Sequence, residues 1–195
     1  MKMLNKGLRA ISLKRAVALK MVVVVGVAAL LCVRVSAQES GGAHGGDGAP
    51  ASASAPGVVM QRSVSLSLAK AIAEATLAAC REKGYHTAAA VVDRAGQVLV
   101  ILRDEQGTSQ LTEMARRKAY TARMFRTTTL EFQKRTSDPA YAAQRNIADI
   151  LALGGGVPIQ VGNETIGGVG SSGSSQETDD ACAKAGVAKV AELLK

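Results

Sequence analysis

The stretch from about residue 63 to Lys195 is predicted to fold in the α/β class, as an α+β domain: an antiparallel sheet with helices packed on it. Two observations lead there. The apolar periodicity runs in the order helix, two strands, helices, two strands, helix. The links inside each strand pair are of hairpin length, too short for a parallel crossover. About 130 residues suffice for one hydrophobic core.

Each element has its own signal. Leu66, Ala69, Ile72, Ala73, Leu77 and Cys80 recur at helical spacing, with Ser65 or Ser67 as N-cap and Gly84 as stop, so a first helix is predicted over 66–83. Strands at 87–92 and 97–103 flank an Asp-Arg-Ala-Gly turn at 93–96. A second helix, 109–126, carries Met114, Lys118, Thr121 and Phe125 on one face by their i, i+4, i+7, i+11 spacing. The β-branched run Thr127 to Thr129 resists its continuation, and a shorter helix is placed before or after Asp138-Pro139. Beyond the apolar stretch 150–153 and the glycines 154–156, strands are predicted at 157–161 and 165–169 around a Gly162-Asn163 turn. The last helix runs over 176–194, opened by a capping box at Ser174-x-x-Glu177.

Ahead of this domain, residues 1–37 combine a basic start, an apolar run from Met21 to Val33 and a small-x-small site at Val35-Ser36-Ala37. This is the pattern of an export signal, and it predicts a periplasmic or secreted protein with no stable membrane span after cleavage. Residues 38–62, rich in Gly, Ala, Ser and Pro, are expected to form a flexible tether. The signal holds 7 of the 24 Lys and Arg and none of the 16 Asp and Glu, which leaves 17 against 16 in the mature chain. The basic balance therefore belongs to export and does not point to nucleic acid; no Trp, two Phe and three Tyr also leave little for base stacking.

Gly168, Gly170 and Gly173 spell G-x-G-x-x-G, but the helix after them is not followed by a strand with an acidic residue, so a dinucleotide site is not indicated. The reading preferred is that these glycines let a strand end pass close to neighbouring backbone, with an anion at the next helix N-terminus still open. His44 and His86 are too few for a histidine-rich zinc site. Asp104-Glu105 and Asp179-Asp180 are adjacent carboxylate pairs, the second explained as negative charge in a first helical turn. Cys80 and Cys182 remain after signal removal, on the first and last helices; a disulfide and two buried thiols are both open.

The stretches AAAVVDRAGQVLVILRDE (88–105), ARRKAYTARMF (115–125), LGGGVPI (153–159) and ETIGGVGSSGSSQETDDACAKAG (164–186) resemble the GlcG/HbpS-type haem-binding family, related to the C-terminal domain of some corrinoid adenosyltransferases. The resemblance covers about 65–193. It implies a profilin-like domain with a five-stranded antiparallel sheet flanked by helices, homo-oligomers, and haem as the bound group, with haem degradation or iron release also proposed in the family. A departure is GSSG at 170–173, where the family commonly has a hydrophobic residue before Ser-Gly.

Carried over to this chain, the Lys-Ala-aromatic-Thr-Ala motif is Lys118 to Ala122, and the resemblance puts Thr121 at the haem. Tyr120 stands beside it as a possible iron ligand, since a phenolate holds ferric haem. Neighbours on a helix diverge by about 100°, so the two cannot point the same way. Lys118 shares the Thr121 face as a candidate propionate partner, and Met114 completes the candidate haem-contacting set. The same residues can instead be the packed face of the helix. Two functions stay open: an exported haem-binding protein for sequestration, delivery or sensing, or an enzyme or accessory protein holding a small organic substrate in an oligomeric pocket without haem.

Overall fold

A computed structural model describes residues 57–195; the export signal, His44 and most of the tether lie outside the described residues. Helix α1 (Leu66–Arg81) starts where Ser65 Oγ accepts the Leu68 N–H, and the chain leaves it through Gly84 at φ 81°. Strands β1 (Ala88–Val92) and β2 (Val98–Arg103) form the expected hairpin. Asp93 Oδ1 accepts from the Ala95 and Gln97 amides, Gly96 takes φ 83°, and the register slips between Val91 and Val92. A turn with one left-handed residue and a bulge is the usual three-residue solution.

Helix α2 (Gln110–Phe125) ends at Arg126, which is left-handed at φ 56°. Thr128 then caps α3 (Thr129–Arg135) in a reciprocal capping box with Glu131, so the short helix lies before Asp138-Pro139. Phe125 and Phe132, with ring centroids 4.3 Å apart, tie α2 to α3. Strands β3 (Gly156–Val161) and β4 (Glu164–Ser172) follow, then α4 (Gln176–Lys189) and a 3-10 turn at Ala191–Leu194. The last helix is therefore shorter than expected.

All pairings are antiparallel in the order β2-β1-β4-β3. The sheet has four strands, not the five implied by the resemblance. Between α3 and β3 the chain is mostly exposed and forms a 3-10 turn at Ala142–Asn146. At the other end, where β4 outruns β1, the chain entering α1 supplies a single backbone bond, Val64 N–H to Ile166 O at 3.4 Å.

The two sheet faces differ in side-chain size. Ala89, Val91, Ile159 and Val169 pack with Ile72, Ala73 and Ala183 of α1 and α4. On the opposite face, Ala88 and Ala90 meet Ala115 of α2, and the residues opposite them on β4 are small as well. A methyl on Gly170 would lie 2.0 Å from Ala115 O, and one on Gly168 2.4 Å from Ala119 O. The close backbone approach expected at these glycines is present, but the strand end is moved: Gly168 and Gly170 are interior to β4, and only Gly173, at φ 142°, bends the chain toward α4. Their reason is close approach of helix backbone to strand. A similar approach joins the two helices of the other layer, where a methyl on Gly186 would meet Thr76 Oγ1 at 2.0 Å. Cys80 and Cys182 form a disulfide between these helices, with Cα atoms 5.4 Å apart.

Candidate functional site

Helix α2 carries the residues singled out by the sequence, and its small-residue seat on β4 brings them close to the start of α4. Lys118, 2% exposed, donates from Nζ to Asp179 Oδ2 at 2.9 Å and to Ser171 O at 2.9 Å. Gly155 lies against the ammonium, where a methyl would come within 3.0 Å. Burial pushes the Lys118 ammonium below its ordinary value, and the Asp179 charge opposes that. Within the fold, the partners of Lys118 are thus an internal carboxylate and a backbone carbonyl.

Asp179 does more than add charge to a first helical turn. At 1% exposure it is the buried counter-charge of Lys118, and its Oδ1 accepts from Ser174 Oγ at 2.7 Å and Ser174 N at 3.2 Å. The expected Ser174/Glu177 capping box is corrected accordingly: Ser175 is the N-cap and accepts the Thr178 N–H, while Ser174 is drawn to Asp179. An anion does sit beside the start of α4, and it is the protein's own carboxylate. Asp180 pairs with Lys184 one turn later.

Thr121 and Tyr120 diverge as helix geometry requires. Thr121 is fully buried; its Oγ1 donates to Arg117 O at 2.8 Å and accepts the Leu151 N–H at 2.9 Å, which pins the chain leading into β3. Tyr120 is half-buried on another side, its ring against the β1–β2 turn, where a methyl on Gly96 would lie 2.8 Å from two ring carbons. Met114 is half-buried at the opposite end of the helix. The structure therefore brings Lys118 and Thr121 to one packed face and leaves Tyr120 outside it. Among these side chains the phenol of Tyr120 suits a haem iron by its donor chemistry, whereas both functions of the Thr121 hydroxyl are already used in the fold.

A second polar cluster surrounds Asp104, which the sequence marked only as half of a carboxylate pair. Asp104 is 3% exposed and accepts two bonds from Arg81, one from the Gln106 amide at 3.1 Å, and faces His86 Nδ1 at 2.9 Å. The Arg81 guanidinium first, and the Gln106 amide next, hold its carboxyl down at about 2. A depressed acid contributes stability that is present above the unfolded-state value and lost as pH falls through the folded one. The stability difference between the parent and Asp104→Asn should shrink as the pH falls from about 4 to 2. Parallel urea titrations across that range check it; a difference that persists unchanged at pH 2 would exclude the role.

Asp179 as the partner of Lys118 was not found by sequence reasoning, because 61 residues separate them. The available signal was a lysine in the middle of an otherwise small and apolar helix face, which needs a counter-charge somewhere in the fold. Among the described residues, no group of three or more His, Cys, Asp or Glu is placed to hold a metal ion, and no helix is long and apolar enough to cross a membrane.

Comparison with known proteins places this arrangement among relatives. The family model described as "Haem degrading protein HbpS-like" matches residues 64–188. The crystal structure of HbpS is similar with a TM-score of 0.67 and 33% identity, over 70% of this chain and 96% of that one. A haem complex of PduOC shares the fold, with a TM-score of 0.59 and 24% identity over 65% of this chain and 94% of the other. An uncharacterized 15.0 kDa protein from the dhaT-dhaS intergenic region of Citrobacter freundii is 31% identical over 133 residues, 67% of this chain and 94% of its own length.

Proposed function

The chain belongs to the HbpS-like family of haem degrading proteins, and from that premise we propose that it is an exported haem-binding protein, acting in haem sequestration, delivery or sensing. The observation that carries this reading is the family match across 64–188, which includes the whole of α2 and its Lys118 to Ala122 motif. Export is supported by the sequence of residues 1–37 and by the Cys80–Cys182 disulfide, a bond that persists in oxidising compartments. A homo-oligomer is part of the proposal; the exposed Val98 and Ile101 on edge strand β2 offer apolar surface for a second copy.

Within this reading Tyr120 is the residue that would hold the ferric iron, through its phenol oxygen. Thr121 acts one step back, fixing α2 against Leu151, and Lys118 with Asp179 locks α2 to α4. Bound haem would supply a redox-active iron. The chain's part is to hold it at a helix seated closely on β4.

Haem titration followed by the Soret band tests the proposal. Tyr120→Phe is expected to weaken haem binding by about tenfold or more, about 1.4 kcal/mol, with an unchanged circular dichroism spectrum. Parent-like titrations of Tyr120→Phe, Thr121→Ala and the double variant would remove haem from this helix. A parent protein with no Soret response would favour the small-organic-substrate reading. Bleaching of the band by reductant or peroxide would add degradation to binding.

A further inference from the structure

At the end of α2 farthest from Met114, four arginines from three parts of the chain line one cleft of about 400 Å³: Arg62, Arg94, Arg123 and Arg126, with Asn163, Glu164 and Thr165. Glu164 is the carboxylate in that lining, and it is already shared by two of the cations. Arg62 reaches it at 2.6 Å, and Arg94 contacts its other oxygen. Asp93 borders the adjoining side, but its Oδ1 is occupied by the amides of Ala95 and Gln97. Arg123 and Arg126 have no carboxylate partner among the described residues.

Arg123 makes the arrangement costly as it stands. Its Nε is buried and has no hydrogen-bond partner. Burial, and then the neighbouring Arg94 and Arg126 charges, push its guanidinium below the ordinary value, and the Asp93 charge opposes them. A buried donor without a partner is destabilising, and more so when it is charged. The C-terminal dipole of α2 favours a cation in its last turn, but it is a fraction of one charge and does not account for four converging arginines. The pattern of planar forks without a carboxylate partner fits recognition of an oxyanion, which takes bidentate bonds from guanidinium groups.

We propose that this cleft, between the β1–β2 turn, the β3–β4 turn and the end of α2, binds a small dianion of the phosphate or phosphate-monoester class, held by Arg123 and Arg126 with Arg94 at its edge. Two negative charges match the two guanidiniums left without a carboxylate. The site does not depend on haem binding, and it is tested on haem-free protein so that the two readings fail separately.

The probe is inorganic phosphate, titrated into isotopically labelled protein at constant ionic strength, with acetate and chloride as controls. The expected result is saturable shifts of the Arg126, Asn163 and Thr165 amides, at least tenfold tighter for phosphate than for acetate. Arg126→Gln, at an exposed position, and Arg123→Gln should each weaken phosphate binding by tenfold or more, while Arg123→Lys recovers part of it. Linear shifts common to all three anions would overturn the proposal. So would parent-like affinity in the Arg126→Gln variant, whose fold is checked by the unperturbed remainder of the spectrum.

Discussion

Replacing Cys80 and Cys182 together by alanine is expected to lower the stability of the described domain by about 4–5 kcal/mol. The bond joins residues 102 apart, and closing a loop of about 100 residues removes roughly 4.7 kcal/mol of chain entropy from the unfolded state. The two helices it joins already pack through Gly186 and Thr76, so the loss should appear chiefly as easier unfolding, with the helix content of the native state preserved. Guanidinium titrations of the parent, the double variant and the dithiothreitol-reduced parent measure it. The reduced parent should follow the variant. Uptake of two alkyl groups by unreduced, unfolded parent would show that the bond is not formed, and a loss below about 1 kcal/mol would show that it constrains little.

Asp179→Ala is expected to cost about 3–5 kcal/mol, because it strands the Lys118 ammonium among Ser171, Gly155 and the underside of α2. The Ser174 hydroxyl and amide also lose their acceptor, so the start of α4 loosens with it. The charge pair itself is worth far less than the cost of breaking it. Lys118→Met combined with Asp179→Leu should therefore recover most of the lost stability. Urea denaturation of the parent, the single variant and the pair separates these terms. A single variant within about 1 kcal/mol of the parent would mean that water or another group satisfies Lys118. Since Lys118 and Tyr120 share α2, haem titration of the rescued pair also asks whether the lysine's charge matters beyond anchoring the helix.

How far each feature was legible depended on how local its cause is. The order of helices and strands, the Asp93 to Gly96 turn and the Ser65 cap were readable because their causes lie within a few residues. Strand β4 was read as ending near Val169, because Gly168, Gly170 and Gly173 together look like a turn; it runs to Ser172 because α2 lies so close that side chains would clash. The cap of α4 falls one residue later than the local pattern predicts for a related reason: Ser174 is drawn to Asp179, whose position answers to Lys118 on another helix.

At the candidate site, the helical period alone predicted that Lys118 and Thr121 share a face and that Tyr120 does not. It could not say that the shared face is the packed one. That was decided by the glycines of a strand about 50 residues further on, which draw α2 in and leave Lys118 to an internal carboxylate. The four arginines of the basic cleft were invisible in the chain for the same reason. They come from positions spread over 62 to 126, and two turns and a helix end bring them together.

The sequence by itself determined the elements, their order, the antiparallel class of the sheet and the family, since periodicity, turn residues and motif order are properties of short stretches. Only the tertiary structure decided which face of α2 is filled, which carboxylate answers Lys118, that Cys80 and Cys182 join, and that arginines converge where the sheet turns. Those outcomes depend on distances between residues far apart in the chain, and such distances are set by packing and not by local propensity.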